Sequence, residues 1–143
     1  MLFGKPKRIV KRILIVEDEP LTAFDNETML VEAGYEVVAI HDRCADAIET
    51  MEREQVDLIL SDVKLAGERT GIDVARAAKD RGIPVLFSTG QAPDAASEMV
   101  IGCLLKPYSN RILKASLQAV ENHLAGKKAG AVKGLTLYPG AAE

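Results

Sequence analysis

The sequence predicts an α/β fold in which a five-stranded parallel sheet carries helices on both faces, a doubly wound arrangement. Short apolar runs alternate with amphipathic helical stretches along residues 11–124. Several of these runs are apolar throughout, which is typical of strands buried on both faces of a sheet. Strands that alternate with helices require parallel pairing and right-handed crossovers. The chain of 143 residues is long enough for one such domain.

The first half of the chain contains two predicted strands and two predicted helices. Residues 13–16 form an apolar strand, and Pro20 then suits the first turn of a helix that ends near Gly34. Residues 35–40 form a more polar strand, which we place at or near a sheet edge, and residues 44–54 form the second helix. The spacing of apolar residues predicts the buried faces of the two helices as Leu21, Phe24, Thr28 and Val31, and as Cys44, Ile48 and Met51.

The middle of the chain brings a carboxylate to the end of a strand. Residues 56–62 are an apolar run that ends at Asp62. A turn-rich loop over residues 66–71 leads to a helix over residues 72–80. Residues 83–88 form the next predicted strand. Pro84 is compatible with it, since proline is tolerated at the first residues of a strand.

The remaining elements are a short helix, a strand and a long helix. Residues 93–99 form at most two helical turns, and residues 101–105 form the fifth strand. Ser109 is the expected N-cap of the last helix. Its apolar stripe is Leu113, Leu117, Val120 and Leu124.

These patterns divide the chain into a basic flexible leader over residues 1–10, one domain over residues 11–125, and a flexible tail over residues 126–143. The tail is rich in glycine and alanine, and its one apolar island is residues 135–138. The island is compatible with a docking peptide, but the composition favours disorder.

Composition excludes several functional classes. The net charge of −3 argues against a nucleic-acid-binding surface, which is strongly basic. Cys44 and Cys103 are far apart, which indicates neither a disulfide framework nor a zinc site. No run is long enough to span a membrane, and the leader lacks the apolar region of a signal peptide. We therefore expect a cytoplasmic protein. A monomer is a separate expectation, because the sequence does not decide between monomer and dimer.

Reactive side chains follow four of the predicted strands. They are Glu17 and Asp18, then Asp62, then Thr89, then Lys106. In a doubly wound sheet these strand ends share one rim, where ligands bind. Three carboxylates within about 4–5 Å would repel by about 3–4 kcal/mol per pair at an effective dielectric constant near 20.

Such a carboxylate cluster is tolerable where it holds a hard divalent cation. Mg²⁺ is the expected cofactor, because it binds one or two carboxylates and accepts phosphate oxygens. Lys106 would supply a positive charge and Thr89 a hydroxyl donor. Together these groups predict an aspartyl-phosphate site in which Asp62 attacks phosphorus.

With these motifs in order, the chain resembles the response-regulator receiver domains of bacterial two-component signalling, which have a flavodoxin-like (CheY-like) fold. The matching pieces are ILIVEDE at residues 13–19, the strand ending at Asp62, PVLFSTG at residues 84–90 and LKPY at residues 105–108. FSTG also resembles the Phe-Ala-Thr-Gly signature of the FAT-GUY subfamily of single-domain receivers, which is linked to general stress signalling.

The resemblance implies a role for each residue of the rim. Asp62 would be the phosphoacceptor, and Thr89 and Lys106 would contact the phosphoryl group. Asp18, Asp62 and the main-chain carbonyl of Lys64 would bind Mg²⁺ directly, and Glu17 would act through water. The phosphoryl donor would be a histidine kinase or a histidine phosphotransfer protein, and the result would be altered binding of a downstream partner or a phosphate sink in a phosphorelay. No catalysis is expected beyond the domain's own phosphorylation and dephosphorylation.

Three positions depart from the family pattern. Glu17 replaces the commoner Asp. Cys103 stands where the family usually has Tyr or Phe, and we expect a small buried strand residue there. The segment between Thr89 and Lys106 is short, so its helix should be stunted or mobile.

Two enzyme-like alternatives use similar chemistry or a similar fold. A Mg²⁺-dependent phosphatase of the haloacid-dehalogenase type also forms an aspartyl phosphate, but it requires a second Asp two residues after the nucleophile, where this chain has Lys64. A nucleotide-binding Rossmann module is disfavoured because no G-x-G-x-x-G follows the first strand.

Overall fold

The computed structural model describes residues 8–139, which form one sheet covered by helices on both faces. The strands are β1 (Arg12–Val16), β2 (Glu36–His41), β3 (Leu58–Ser61), β4 (Val85–Thr89), β5 (Gly102–Leu105) and β6 (Leu135–Leu137). Their spatial order is β2-β1-β3-β4-β5-β6. The first five are parallel, and β6 pairs antiparallel with β5. The predicted doubly wound fold is confirmed, with six strands where five were expected.

Four α-helices and one 3₁₀ turn connect the strands. They are α1 (Pro20–Glu32), α2 (Cys44–Arg53), α3 (Gly71–Asp80), the 3₁₀ turn Ala96–Glu98 and α4 (Asn110–Leu124). The short turn agrees with the prediction of at most two helical turns between β4 and β5. No helix within residues 8–139 has the length and apolar character needed to cross a membrane.

Side chains at the helix starts satisfy backbone groups that the helix itself leaves free. Thr70 and Asp73 form a reciprocal capping box at α3, and the predicted cap at Ser109 accepts a hydrogen bond from the Ile112 amide. Glu19 caps α1 by accepting from the Leu21 amide at 2.7 Å, and Pro20 takes the first helical position. Each such cap typically contributes about 1 kcal/mol.

The core lies in two layers, one on each face of the sheet. Apolar residues of α2 and α3 pack on one face, and those of α1 and α4 pack on the other. The central strands β1, β3 and β4 are buried along nearly their whole length, as their continuous apolar runs predict. Burial of each large aliphatic side chain contributes about 1.5–3 kcal/mol, so these strands are a rigid base for the residues at their ends.

Helix α1 buries a different face from the predicted one. Leu21, Phe24 and Val31 are 74%, 62% and 56% exposed, and Thr28 is exposed as well. The buried residues are instead Ala23, Asn26, Met29 and Leu30. The helix carries apolar residues on two faces, and it packs on the sheet through the one that includes the small Ala23 and the hydrogen-bonding Asn26.

The predicted flexible tail contains a strand in this structure. Residues 135–137 form β6, and Tyr138 donates its amide to the Ile101 carbonyl. This segment is ordered because β5 would otherwise be an edge strand with unpaired backbone groups. Gly102 has no side chain to obstruct the backbone of β6. The last four residues of the predicted tail, 140–143, lie outside the described residues.

The end of the predicted leader also packs on the domain. Val10 is buried, and Glu121 accepts hydrogen bonds from the amides of Ile9 and Val10. The Arg8 guanidinium lies 4.5 Å from the centre of the Tyr35 ring. Residues 1–7, which make up the rest of the leader, lie outside the described residues.

Candidate functional site

Four strand ends meet at one rim of the sheet, and backbone hydrogen bonds fix the residues there. The amide of Glu17 donates to the His41 carbonyl, and that of Asp62 donates to the Val16 carbonyl, both at 2.8 Å. The amide of Lys106 donates to the Thr89 carbonyl at 2.8 Å. Each bond continues the sheet pairing to the point where the functional side chain leaves the backbone.

Three carboxylates form a cluster at this rim. Glu17, Asp18 and Asp62 each place one carboxylate oxygen within 4.8 Å of the others. Glu17 is buried, Asp62 is partly buried and Asp18 is exposed. An all-oxygen donor set of this kind, with one side open to solvent, fits Mg²⁺, which keeps several waters when bound.

The ammonium group of Lys106 lies between two of these carboxylates. Its Nζ is 2.7 Å from Glu17 Oε1 and 3.0 Å from Asp62 Oδ2. Burial lowers the pKa of Lys106, but the hydrogen bonds and charges of Glu17 and Asp62 outweigh it, so the pKa is raised overall. Lys106 therefore stays positively charged beside Asp62.

Burial has the larger effect on Glu17. It raises the pKa of this carboxyl, while the hydrogen bond from Lys106 and the Glu19 amide act in the opposite direction. Glu19 N donates to Glu17 Oε2 at 3.1 Å. The buried, hydrogen-bonded Glu17 therefore lies at the inner end of the cluster, and the exposed Asp18 lies at its outer end.

Asp62, Lys64, Thr89 and Lys106 line one open cleft of about 650 Å³ together with the loop that follows β4. The Lys64 amide donates to Asp62 Oδ1 at 3.2 Å. The Thr89 hydroxyl faces its own loop, since it donates to the Gln91 carbonyl at 3.1 Å and accepts from the Gln91 amide at 3.3 Å. Thr89 must therefore exchange these bonds before it can contact a group on Asp62.

The backbone of Asp62 and Val63 lies in close contact with Gly71, the first residue of α3. The Gly71 amide donates to the Val63 carbonyl at 2.7 Å. A Cβ at residue 71 would lie 2.0 Å from the Asp62 carbonyl oxygen and 2.8 Å from Val63 Cα. Both neighbours are backbone atoms, so no side-chain rearrangement can make room for that carbon.

Sequence reasoning missed a buried polar network behind the cleft. The Tyr108 hydroxyl is 2.8 Å from Ser88 Oγ and accepts from Asn26 Nδ2 at 3.2 Å. The network joins α1, the C-terminal end of β4 and the loop after β5. Tyr108 lies in the LKPY motif, but no sequence pattern indicated Asn26, because it occupies a face of α1 expected to be exposed.

Cys103 is a buried strand residue, as expected, and it contacts an aromatic side chain from elsewhere in the chain. The cysteine is 2% exposed, and burial raises the pKa of its thiol. The Tyr138 hydroxyl donates to Cys103 Sγ at 3.3 Å. Burial and this contact raise the pKa of Tyr138 to about 12.

Comparison with known proteins assigns this site to a family. Residues 13–118 match the response regulator receiver domain family. The chain is 36% identical over 110 residues to the transcriptional regulatory protein PdtaR of Mycobacterium tuberculosis, an alignment covering 71% of this chain and 52% of PdtaR. The chain thus spans about half the length of this curated relative.

Solved structures show the same fold. The receiver domain of the sensor histidine kinase PA1611 from Pseudomonas aeruginosa, with magnesium in its active-site cleft, is 28% identical, with a TM-score of 0.66 over 76% of this chain and 95% of that chain. The response regulator PhyR from Brucella abortus is 31% identical, with a TM-score of 0.62 over 76% of this chain and 46% of PhyR. On this evidence, the chain belongs to the response regulator receiver domain family.

Proposed function

We propose that this chain is a phosphorylatable receiver in which Asp62 accepts a phosphoryl group from a phosphohistidine of a kinase or phosphotransfer protein. The observation that carries the proposal is the position of Lys106 Nζ, 3.0 Å from Asp62 Oδ2 within the carboxylate cluster. A carboxylate oxygen of Asp62 forms the new O–P bond as the donor's N–P bond breaks, and the donor imidazole takes up the electron pair. Lys106 offsets the charge of the transferred group, and Thr89 hydrogen-bonds it once turned away from Gln91.

Mg²⁺ would be held by residues already gathered at this rim. Asp18 and Asp62 would bind it through their carboxylates, Lys64 through its main-chain carbonyl and Glu17 through a water molecule. When bound, the ion would neutralise negative charge on the carboxylates and on the incoming phosphoryl group. The carboxylate cluster and the magnesium-containing cleft of the related PA1611 receiver support this assignment.

The exposed stripe of α1, defined by Leu21, Phe24 and Val31, is the proposed docking surface for the phosphoryl donor. Large apolar side chains that are more than half exposed along one helix face typically mark an interaction site. The helix begins two residues after Asp18, so a protein bound to it would lie beside the cleft. Receiver domains act with kinases or phosphotransfer proteins and with downstream partners.

A role in stress signalling, in the cytoplasm, completes the proposal. It is supported by the FSTG motif and by the likeness to PhyR, a stress response regulator. Its test is whether cells carrying Asp62→Asn lose survival under stress while their growth in rich medium is unchanged.

The phosphorylation test uses acetyl phosphate and Mg²⁺, with intact mass as the readout. We expect one added phosphoryl group on the wild type and none on Asp62→Asn. Asp57→Asn is the matched control: Asp57 precedes the same strand at its opposite end, where its carboxylate accepts from the amides of Lys11 and Arg12. Continuous hydrolysis of a chromogenic phosphate ester would instead favour the phosphatase alternative, and labelling of Asp62→Asn would overturn the assignment.

A further inference from the structure

The edge of β5 is shaped to receive an extended chain. Residues 102–104 of β5 pair with residues 135–137 in antiparallel register. A Cβ at Gly102 would lie 2.4 Å from the Thr136 carbonyl oxygen and 2.8 Å from Leu137 Cδ2. The missing side chain at residue 102 is therefore what lets a second backbone approach this edge.

Side chains of β6 and of the residue after it contact the domain on both faces of the sheet. Leu135 and Leu137 pack with Leu104 in the layer formed by α1 and α4, whereas Tyr138 packs in the opposite layer, where it contacts Cys103. Main-chain hydrogen bonds with alternating side-chain contacts are the features by which a sheet edge recognises an extended peptide. The edge thus accommodates two apolar residues separated by one position, followed directly by an aromatic residue.

The occupying strand is short and loosely connected to the domain. It lies beyond residue 118, where the match to the receiver family ends. Residues 125–134 join it to α4, and they are largely exposed and contain Gly126, Gly130 and Gly134, all with positive φ. A three-residue strand on such a connection can leave the edge while β5 keeps its pairing with β4, which positions Lys106.

We propose that the β5 edge is a strand-binding site for an extended segment of a partner protein with this apolar-x-apolar-aromatic pattern, and that β6 is its tethered competitor. In this structure β6 of the same chain occupies the β5 edge. Because a tethered strand acts at an effective concentration of the order of mM, a partner segment binds only when β6 is weakened or the partner is held nearby by other contacts. This inference concerns peptide binding and does not depend on phosphorylation of Asp62.

The test uses the full chain and a fluorescein-labelled synthetic peptide with the sequence of residues 132–139. Leu135→Ser/Leu137→Ser opens β6 by removing its apolar contacts while leaving the β5 edge intact. We expect the peptide to bind this double variant at least about tenfold more tightly than the wild type, as measured by fluorescence anisotropy. A scrambled peptide of the same composition should not bind.

A second variant separates an open edge from a binding edge. Gly102→Ala also displaces β6, because its methyl group would collide with the Thr136 carbonyl, but it blocks the peptide for the same reason. Hydrogen exchange should show faster exchange at the Leu105 amide, which donates to the Gly134 carbonyl at 2.9 Å, in both variants. Only the Leu135→Ser/Leu137→Ser variant should bind peptide. Thr136→Ser, at the exposed position of β6, should behave as the wild type.

Three results would overturn the proposal. The first is an opened double variant, folded by circular dichroism, that fails to bind the peptide. The second is equal peptide binding by Gly102→Ala and the double variant, which would place the peptide elsewhere. The third is dimerisation of the double variant by light scattering without peptide binding, which would make a second copy of the chain the occupant.

Discussion

At the scale of single residues, the Tyr108 hydroxyl is the centre of the polar network behind the cleft. Tyr108→Phe would leave the buried Ser88 hydroxyl and Asn26 side chain without this partner, and an unsatisfied buried polar group costs about 1–3 kcal/mol. We expect Tyr108→Phe to lower the free energy of unfolding in urea by that amount. Ser88→Ala should cost less, because Tyr108 keeps its bond to Asn26.

A double variant checks that this cost belongs to the network. Ser88→Ala combined with Tyr108→Phe should destabilise the protein by less than the sum of the two single changes, since both remove the same hydrogen bond. Ser97→Ala, on the exposed 3₁₀ turn, serves as the control and should change stability by less than about 0.5 kcal/mol. Strict additivity would contradict the network.

Tyr138 gives the fold a dependence on alkaline pH. Its pKa is raised from the ordinary value of 10.0 to about 12, so in this interval the folded state keeps a proton that the unfolded state has lost. This contribution to stability is complete below pH 10 and is lost as pH rises toward about 12. Tyr138→Phe removes the titrating group, so its free energy of unfolding should fall less steeply over that interval than that of the wild type. If the free energy of unfolding, measured in urea at several pH values, fell equally steeply in the wild type and in Tyr138→Phe, the pKa of Tyr138 would not be raised by folding.

The residues of the rim could be predicted from the sequence, whereas the network and the Cys103–Tyr138 contact could not. Glu17, Asp18, Asp62, Thr89 and Lys106 each follow an apolar run, and parallel strands bring such ends together whatever the details of packing. Tyr108, Asn26 and Tyr138 come from unrelated elements. Their contacts depend on the tilt and depth of those elements, which no local pattern encodes.

At the scale of elements, α1 shows where periodicity fails. Both faces of the helix carry apolar residues, so spacing alone could not decide which face packs on the sheet. The larger side chains, Leu21 and Phe24, lie outward, and the close approach of α1 to the sheet uses Ala23. A stripe of large apolar residues that solvent covers is more informative about partners than about the core.

Substitutions on the two faces of α1 should therefore have opposite effects on stability and docking. Phe24→Ser should change the free energy of unfolding by less than about 0.5 kcal/mol, because the side chain is 62% exposed, and it should slow phosphoryl transfer from a phosphorylated donor protein. Leu30→Ala should lower the free energy of unfolding by about 2–5 kcal/mol, because Leu30 is fully buried.

Acetyl phosphate supplies the control for docking. It needs no protein surface, so it should phosphorylate Phe24→Ser at the wild-type rate. A variant slowed equally with acetyl phosphate and with a donor protein would indicate a damaged cleft and would contradict a docking role for the α1 stripe.

The sequence pattern did not predict β6, because the order of this element comes from its neighbour in the sheet. Its three residues are embedded in a segment rich in glycine and alanine, which cannot bury enough surface to order itself. The strand exists because the β5 edge supplies hydrogen bonds and two apolar layers. Sequence patterns describe what a segment does alone, and this segment acquires its structure from its partner strand.

At the scale of the whole molecule, the carboxylate cluster predicts that the free energy of unfolding depends on Mg²⁺. A ligand that binds only the folded state raises the free energy of unfolding, by about 1.4 kcal/mol at a concentration ten times its Kd. We expect Mg²⁺ to raise the thermal unfolding midpoint of the wild type, and EDTA to reverse the increase. Asp18→Asn should lose most of it, because the cluster loses its exposed carboxylate, whereas Asp57→Asn should keep it. An equal rise in Asp18→Asn would place the ion elsewhere.

The contact between Gly71 and the backbone of Asp62 limits which sequences can encode this protein at all. In a library carrying every substitution at every position, selected for folded protein by protease resistance, residue 71 should accept nothing but glycine, since even one methyl group meets backbone atoms. Gly90, which lines the cleft beside Thr89, has open space around it and should tolerate alanine and serine. Two glycines that look equivalent in a loop-rich sequence would thus differ in mutational tolerance, and drift of the family would be restricted at the first of them even where phosphorylation is no longer under selection.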